Sequence, residues 1–100
     1  MLKERLQKKL AEAIEWAEIY NSNVNIYFDT RKALTDPIQK AEARLGYEDN
    51  FSNLHKELNK IRRYGKRLGY NKDEVQEIIE RVYFGDTPRP ARRESTDFQF

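Results

Sequence analysis

The chain has 100 residues, of which 36% are charged, with a formal net charge of +2 and no cysteine. This length supports one hydrophobic core, and the lack of cysteine excludes a disulfide framework and cysteine-ligated zinc. Leu, Ile, Val and Phe still contribute 23 residues, and together with the low net charge they place the chain among folding rather than disordered sequences.

The first predicted element is a helix over residues 2–20, because apolar residues recur there every three or four positions. Its stripe consists of Leu2, Leu6, Leu10, Ala13, Ala17 and Tyr20. Lysine and arginine crowd its first half and glutamate its second half, which is the reverse of what the helix macrodipole favours. Asn21, Ser22 and Asn23 are expected to end this helix, since they favour turns and caps.

Residues 24–28, with the sequence VNIYF, alternate in polarity as a β-strand does. A single strand has no partner within one chain. A helical turn, an extended connector or an edge offered to another molecule therefore fits this run better than a sheet.

A second, short helix is expected to begin at Asp36, where an N-cap residue, a proline and Gln39 follow the order of a helix start. Its predicted buried face consists of Ile38, Ala41 and Leu45, and Gly46 is its predicted end. This helix would be separate from the one that follows.

The third predicted helix covers residues 51–68 and carries the most regular apolar pattern in the chain. A start at Asp49, Asn50 or Ser52 is followed by an apolar seam of Phe51, Leu54, Leu58, Ile61, Gly65 and Leu68. Gly65 lies within that seam, where its missing Cβ allows another backbone to approach closely.

The fourth predicted helix begins at Asn71, which pairs with Glu74 as a capping box after the stop at Gly69. Its core face is Val75, Ile78, Ile79 and Val82, and Gly85 ends it. The fold class is therefore all-α, a small bundle of about four helices. We expect one helical domain over residues 1–86 and an extended C-terminal arm over residues 87–100, which holds two prolines and no amphipathic period.

The low net charge hides opposite charges on the last two helices. Residues 51–70 hold six cationic side chains against Glu57 alone, whereas residues 71–86 have a net charge of −3. Four of the cations project opposite the apolar seam and form what we call the basic ridge: Lys56, Lys60, Arg63 and Arg67. Together with Lys66 they are candidate phosphate contacts for a nucleic acid, although a solvated charged face produces the same pattern.

Small, turn-forming and apolar residues are arranged in a definite order around the turn between these two helices. They are Gly65, Gly69, Tyr70, Val75 and Ile78, with Leu68 just before the turn. In this order, residues 61–80 resemble the helix-turn-helix motif of DNA-binding proteins. The resemblance implies that the outward residues of the second helix approach the major groove.

The outward residues of that second helix are Asn71, Lys72, Asp73, Gln76, Glu77 and Glu80. Three of them are acids, which DNA repels, so the preceding basic helix is expected to carry more of the contact. An ordinary αα-hairpin that ends its first helix at a glycine is the alternative interpretation.

The arm supports a second function class, because two phenylalanines flank Gln99 and arginines precede them. Arg89, Arg92, Arg93, Phe98 and Phe100 are the candidate partner-binding residues. Thr96, Asp97 and Phe98 resemble the ends of linear peptides that dock into sliding clamps. Packing of the phenylalanines on the chain's own core is the alternative.

No nucleophile elbow, Walker loop, dinucleotide-binding glycine run or metal-ligand spacing is present, so we expect no enzyme, cofactor or metal site. The first expected function is a small non-enzymatic protein associated with nucleic acid. The alternative is a protein-docking adaptor, inhibitor or assembly component, and the seam and residues 24–28 also permit self-association. No apolar run approaches 18 residues and no secretory signal is visible, so we expect a cytoplasmic protein that does not enter a membrane.

Overall fold

A computed structural model describes residues 2–85 and shows three helices in this range: α1 (Leu2–Ala33), α2 (Pro37–Arg67) and α3 (Lys72–Phe84). The all-α class is confirmed. The expected number of about four helices is too high, because the second and third predicted helices are one continuous element. The predicted arm at residues 87–100 lies outside the described residues.

α1 continues through the three residues that were expected to end it, so the strand-like run at residues 24–28 is helical and Val24 is buried. The physical reason is that two of the three find partners on other helices. The Asn21 amide donates to the Val82 carbonyl (3.2 Å), and the Asn23 amide donates to the Asn50 side chain (3.0 Å). Because these side-chain amides are bonded to other helices, they do not replace the backbone hydrogen bonds of α1.

The extension of α1 also improves the match between its charged side chains and the helix macrodipole. A helix that ends at Ala33 has Arg31 and Lys32 in its last turn. Cations at this end interact favourably with the negative pole of the helix. The mismatch predicted for a shorter helix is therefore partly removed.

α2 begins as predicted, with the Asp36 carboxylate accepting from the Ile38 N–H (3.1 Å) and proline at the first helical position. Gly46 does not end it. The ring of Tyr27 lies against this glycine, so closely that an added Cβ would be 2.6 Å from Tyr27 Cε1. Gly46 serves close packing between α1 and α2 rather than a turn.

Continuity of α2 also moves its buried face. Ile38 and Leu45, predicted as core, are 70% and 61% exposed, Ala41 is exposed too, and Ala43 is buried instead. Position 43 is eleven residues, or about three turns, before Leu54, whereas position 45 is about half a turn out of phase with it. The seam around Leu54 therefore sets the phase for the whole helix.

α1 and α2 form an antiparallel hairpin, since Asn23 meets Asn50 while Phe28, farther along α1, meets Tyr47, earlier in α2. α3 packs on one face of this hairpin near its open end. The shared core is buried on all three helices and consists of Leu10, Ala13, Ala17, Leu54, Leu58, Ile61, Ile79 and Val82. Leu2 of the predicted α1 stripe is 71% exposed and lies outside this core.

The turn between α2 and α3 has the predicted glycine geometry. Gly69 has a φ of +88°, while Tyr70 donates to the Gly65 carbonyl and Gly69 to that of Lys66. This hydrogen-bond pair is a Schellman motif. α3 then starts with the predicted capping box, in which Asn71 Oδ1 accepts from the Glu74 N–H and Glu74 Oε1 from the Asn71 N–H.

Candidate nucleic-acid interface and a second basic surface

The basic ridge occupies the C-terminal half of α2, on the side away from the core. Lys56, Arg63 and Arg67 are exposed, as is Lys66 beside them. Leu54, Leu58 and Ile61 are fully buried on the opposite side and hold the orientation of the helix. From position 56 to position 67 the ridge extends about 17 Å at the helical rise per residue.

Lys60 differs from the other ridge residues, because its ammonium is engaged. Its Nζ lies 3.0 Å from Glu57 Oε2, and the Glu57 side chain is only 12% exposed. Lys60 also borders a shallow groove toward α1, together with Trp16 and Tyr64. Its charge is thus directed partly away from the ridge, and Lys56, Arg63, Lys66 and Arg67 are the more accessible cations.

Aromatic and amide groups hold two arginines of α2. The Arg63 guanidinium lies 5.4 Å from the centre of the Tyr64 ring, and Arg62 Nη1 donates to Asn59 Oδ1 (2.9 Å). Burial raises the pKa of the Tyr83 hydroxyl, while the positive charge of Arg62 partly lowers it. Both arginines are exposed, and the charge of Arg62 is the one that acts on Tyr83 of α3.

The two glycines of the helix-turn-helix-like segment have the roles that the spacing predicts. A Cβ on Gly65 would lie 2.9 Å from Val75 Cγ2, so the small residue lets α3 pack closely against α2. Beyond the turn, the exposed side of α3 carries Asp73 and Glu77. The reading surface implied by the resemblance is therefore acidic, while the cations lie on α2.

A second surface combines aromatic rings from both helices of the hairpin. Phe28, Tyr47, Phe51 and His55 form a row, with ring centres 6.0, 5.8 and 4.5 Å apart in that order. Phe51, the first residue of the predicted apolar seam, is 43% exposed and therefore not part of the buried core. His55, the single histidine of the chain, packs against Phe51 at the exposed edge.

This row ends at a concave site near the α1–α2 connection, which we call the tip cleft. The cleft has a volume of about 480 Å³ and is lined by Phe28, Arg31 and Lys32 of α1 and by Pro37, Lys40, Ala41 and Arg44 of α2. Lys32 Nζ lies 4.3 Å above the Phe28 ring centre, and Arg44 Nε lies 2.9 Å from Glu48 Oε1.

Sequence reasoning did not identify the tip cleft. Its α1 residues lie beyond the expected end of the first helix, and its α2 residues belong to a helix that was expected to be short. The four cations are eight to thirteen positions apart across the connection, and only the hairpin brings them to one place. A helical assignment of residues 21–33 is the signal that would have placed Phe28 and Lys32 on one face, four residues apart.

The remaining predicted site residues lie outside the described part of the chain. They are the arm residues Arg89, Arg92, Arg93, Phe98 and Phe100. Among residues 2–85, no three His, Asp or Glu side chains converge as metal ligands. None of the helices in this range combines the length and the hydropathy of a membrane span.

Comparison with protein-family models, with curated proteins and with solved structures finds no match to this chain.

Proposed function

We propose that this chain is a small non-enzymatic nucleic-acid-binding protein that contacts phosphates through the outer surface of α2. The contacts are the accessible cations Lys56, Arg63, Lys66 and Arg67, with Lys60 at the groove side. Cations repeated along one helix can follow a phosphate backbone and release its condensed counterions on binding.

The observation that carries the proposal is that most cations of this surface have no neighbouring carboxylate to neutralise them. Glu57 is the single carboxylate between residues 51 and 70, and it pairs with Lys60. Within the described residues, Lys56, Lys66 and Arg67 have no carboxylate within ion-pair distance. Because these cations are not paired with carboxylates, their N–H donors remain available to a ligand, as phosphate contacts require.

The acidic face of α3 determines which element meets the nucleic acid. Asp73 and Glu77 are exposed there, and phosphates repel both. Binding through α2 keeps these carboxylates away from the backbone, whereas insertion of α3 into the major groove would bring them toward it. The α2–α3 turn then connects two packed helices and does not place α3 in the major groove.

A salt-dependent gel shift on nonspecific duplex DNA tests the proposal. The triple variant Lys56→Ala, Arg63→Ala, Arg67→Ala should bind more weakly. The slope of log affinity against log salt concentration should fall by about 2–3, because each lost phosphate contact contributes about 0.9. Circular dichroism should show unchanged helicity, since all three side chains are exposed.

The matched control is Lys3→Ala, Arg5→Ala, Lys8→Ala, which removes the same charge from exposed positions of α1. This control should retain most of the affinity and the salt slope. Equal losses in the two variants would mean that net charge alone drives binding, and unchanged binding in the ridge variant would exclude the ridge as the interface.

A second candidate function, protein docking as an adaptor or assembly component, is favoured by apolar side chains on the exposed side of α1. Trp16, Ile19 and Ile26 are 51%, 47% and 58% exposed. Exposed apolar residues grouped on one surface are typical of protein–protein contact sites. The gel shift discriminates the two functions, because a wild-type protein that does not bind duplex at low salt favours docking.

A further inference from the structure

The tip cleft is separate from the proposed nucleic-acid interface. Arg44, its residue nearest to the ridge along α2, is twelve positions before Lys56, which is about 18 Å along the helix. Its cations also come from both helices of the hairpin, whereas those of the ridge come from α2 alone. Its volume is about 480 Å³, and it is a cleft open to solvent rather than an enclosed cavity.

Positive charge in the cleft is only partly neutralised. Of the four lining cations, Arg44 is the one with an ion pair among the described residues, and that pair uses its Nε. A guanidinium has five N–H donors, so the terminal nitrogens of Arg44 keep donors for a ligand. Arg31 and Lys40 have no carboxylate within ion-pair distance in the described part of the chain.

Three acidic residues close by in sequence do not line the cleft. They are Asp29, Asp36 and Glu42. The Asp36 carboxylate accepts from the Ile38 N–H and thereby caps α2. The lining therefore presents four cations and no carboxylate of its own, while the Glu48 carboxylate contacts one of them through Arg44 Nε.

The apolar part of the lining comes from Phe28, Pro37 and Ala41. Phe28 is 44% exposed, and Lys32 lies over its ring. An aromatic ring beside a group of cations suits a ligand with a flat apolar part and clustered negative charges. Phosphates can draw the Lys32 ammonium off the Phe28 ring, and a base can then pack on the face that it leaves.

We propose that the tip cleft binds a compact anion with clustered phosphate groups, of the size of a nucleoside triphosphate. Several phosphates in one ligand match cations contributed by two helices, and binding would relieve the repulsion among these cations. The phosphate chemistry is shared by nucleotides and by inorganic polyphosphate. The contact with Phe28 distinguishes these two sources.

Isothermal titration calorimetry of the full chain with inorganic tripolyphosphate and with ATP, without divalent metal, tests this proposal. Wild type should bind one equivalent of each probe saturably at low salt. The variant Arg31→Gln, Lys32→Gln, Lys40→Gln should lose at least about tenfold in affinity for both probes, because it removes three charge-assisted contacts. All three residues are exposed, so circular dichroism and thermal unfolding should remain close to wild type.

The charge-matched control is Lys3→Gln, Arg5→Gln, Lys8→Gln, which removes the same charge from exposed positions of α1 outside both the cleft and the ridge. This control should bind both probes as wild type does. Equal losses in the two triple variants, or no saturable binding by wild type, would overturn the proposal. The cleft variant and this control both keep the ridge, so the nucleic-acid proposal can be tested whether or not the cleft binds phosphates.

Phe28→Leu identifies the source of the phosphates. If the ligand is a nucleotide, this variant should weaken ATP binding and leave tripolyphosphate binding unchanged, in support of a ring contact with the base. If Phe28→Leu binds ATP and tripolyphosphate each as tightly as wild type does, the result supports a site for inorganic polyphosphate.

Discussion

Gly65 lies where α2 and α3 pass closest, and its environment allows a prediction for a single residue. Alanine at this position would gain about 1 kcal/mol in helix propensity. Its Cβ would, however, lie 2.9 Å from Val75 Cγ2, on a short branched side chain packed against the core. Overpacking of this kind costs about 1–3 kcal/mol, so we expect Gly65→Ala to lower the urea midpoint of unfolding.

Val75→Ala supplies the partner for a double-mutant cycle at this contact. In the Val75→Ala background the clash is absent, and Gly65→Ala should then be nearly neutral or stabilising. An equal cost in both backgrounds would contradict the close contact as the cause. Gly46→Ala is the comparison, because the opposing Tyr27 ring is 36% exposed and can move outward, which makes a smaller cost the expected result.

Among the helices, α3 depends most clearly on local signals at its start. Its 13 residues are few for an isolated helix, so the capping box at Asn71 and Glu74 contributes measurably to its formation. We expect Asn71→Ala to destabilise the protein by about 1 kcal/mol in chemical unfolding, because the Glu74 N–H loses its acceptor.

Asn71→Asp keeps an N-cap acceptor and should retain the stability of wild type within a few tenths of a kcal/mol. Lys72→Ala, at the exposed first residue of the helix, is the neighbouring control. A similar loss of stability in Lys72→Ala and Asn71→Ala would show that the cap is not responsible.

For the molecule as a whole, burial is unevenly distributed along the hairpin. The core shared by all three helices lies near Leu54, Leu58 and Ile61, whereas toward the tip Val24 and Ala43 are the buried residues of α1 and α2. Local opening costs less where less apolar surface is buried. We therefore expect backbone amides of residues 26–45 to exchange with deuterium faster than those of residues 54–61.

Native-state hydrogen exchange monitored by NMR measures this difference directly. The ligand proposed for the tip cleft supplies the second arm of the experiment. Tripolyphosphate should slow exchange at the tip, because local opening there releases the ligand. It should also slow those amides of residues 54–61 that exchange through global unfolding, since a ligand that binds only the folded state stabilises it against unfolding. Uniform exchange along both helices in the free protein would contradict the uneven core.

The features that sequence reasoning predicted correctly are those whose causes lie within one or two turns of helix. The start at Asp36, the turn at Gly69, the capping box at Asn71 and the end at Gly85 are all confirmed. Each is determined by hydrogen bonds and backbone angles of adjacent residues. The position of the ridge opposite the seam also followed, because helical periodicity alone relates these two faces.

The features that were predicted wrongly depend on contacts distant in sequence. Asn23 remains helical while its amide meets Asn50, and Gly46 remains helical beneath the ring of Tyr27. Neither partner is near in sequence, so local reasoning predicts helix ends at these turn-forming residues. These wrongly predicted helix ends had two consequences. The core face was placed at Ile38 and Leu45, and the tip cleft was missed.

By itself, the sequence determined the all-α class, the position of α3 and an opposition of basic and acidic segments, because periodicity, capping and charge are local properties. The tertiary structure decided that residues 2–85 form three helices rather than four, that Lys60 pairs with Glu57 and that Phe28 lies beside cations from the next helix. These outcomes depend on which side chains the antiparallel hairpin brings together. Packing across the hairpin outweighed the local preference of asparagine and glycine for turns, and it also created the cleft at the tip.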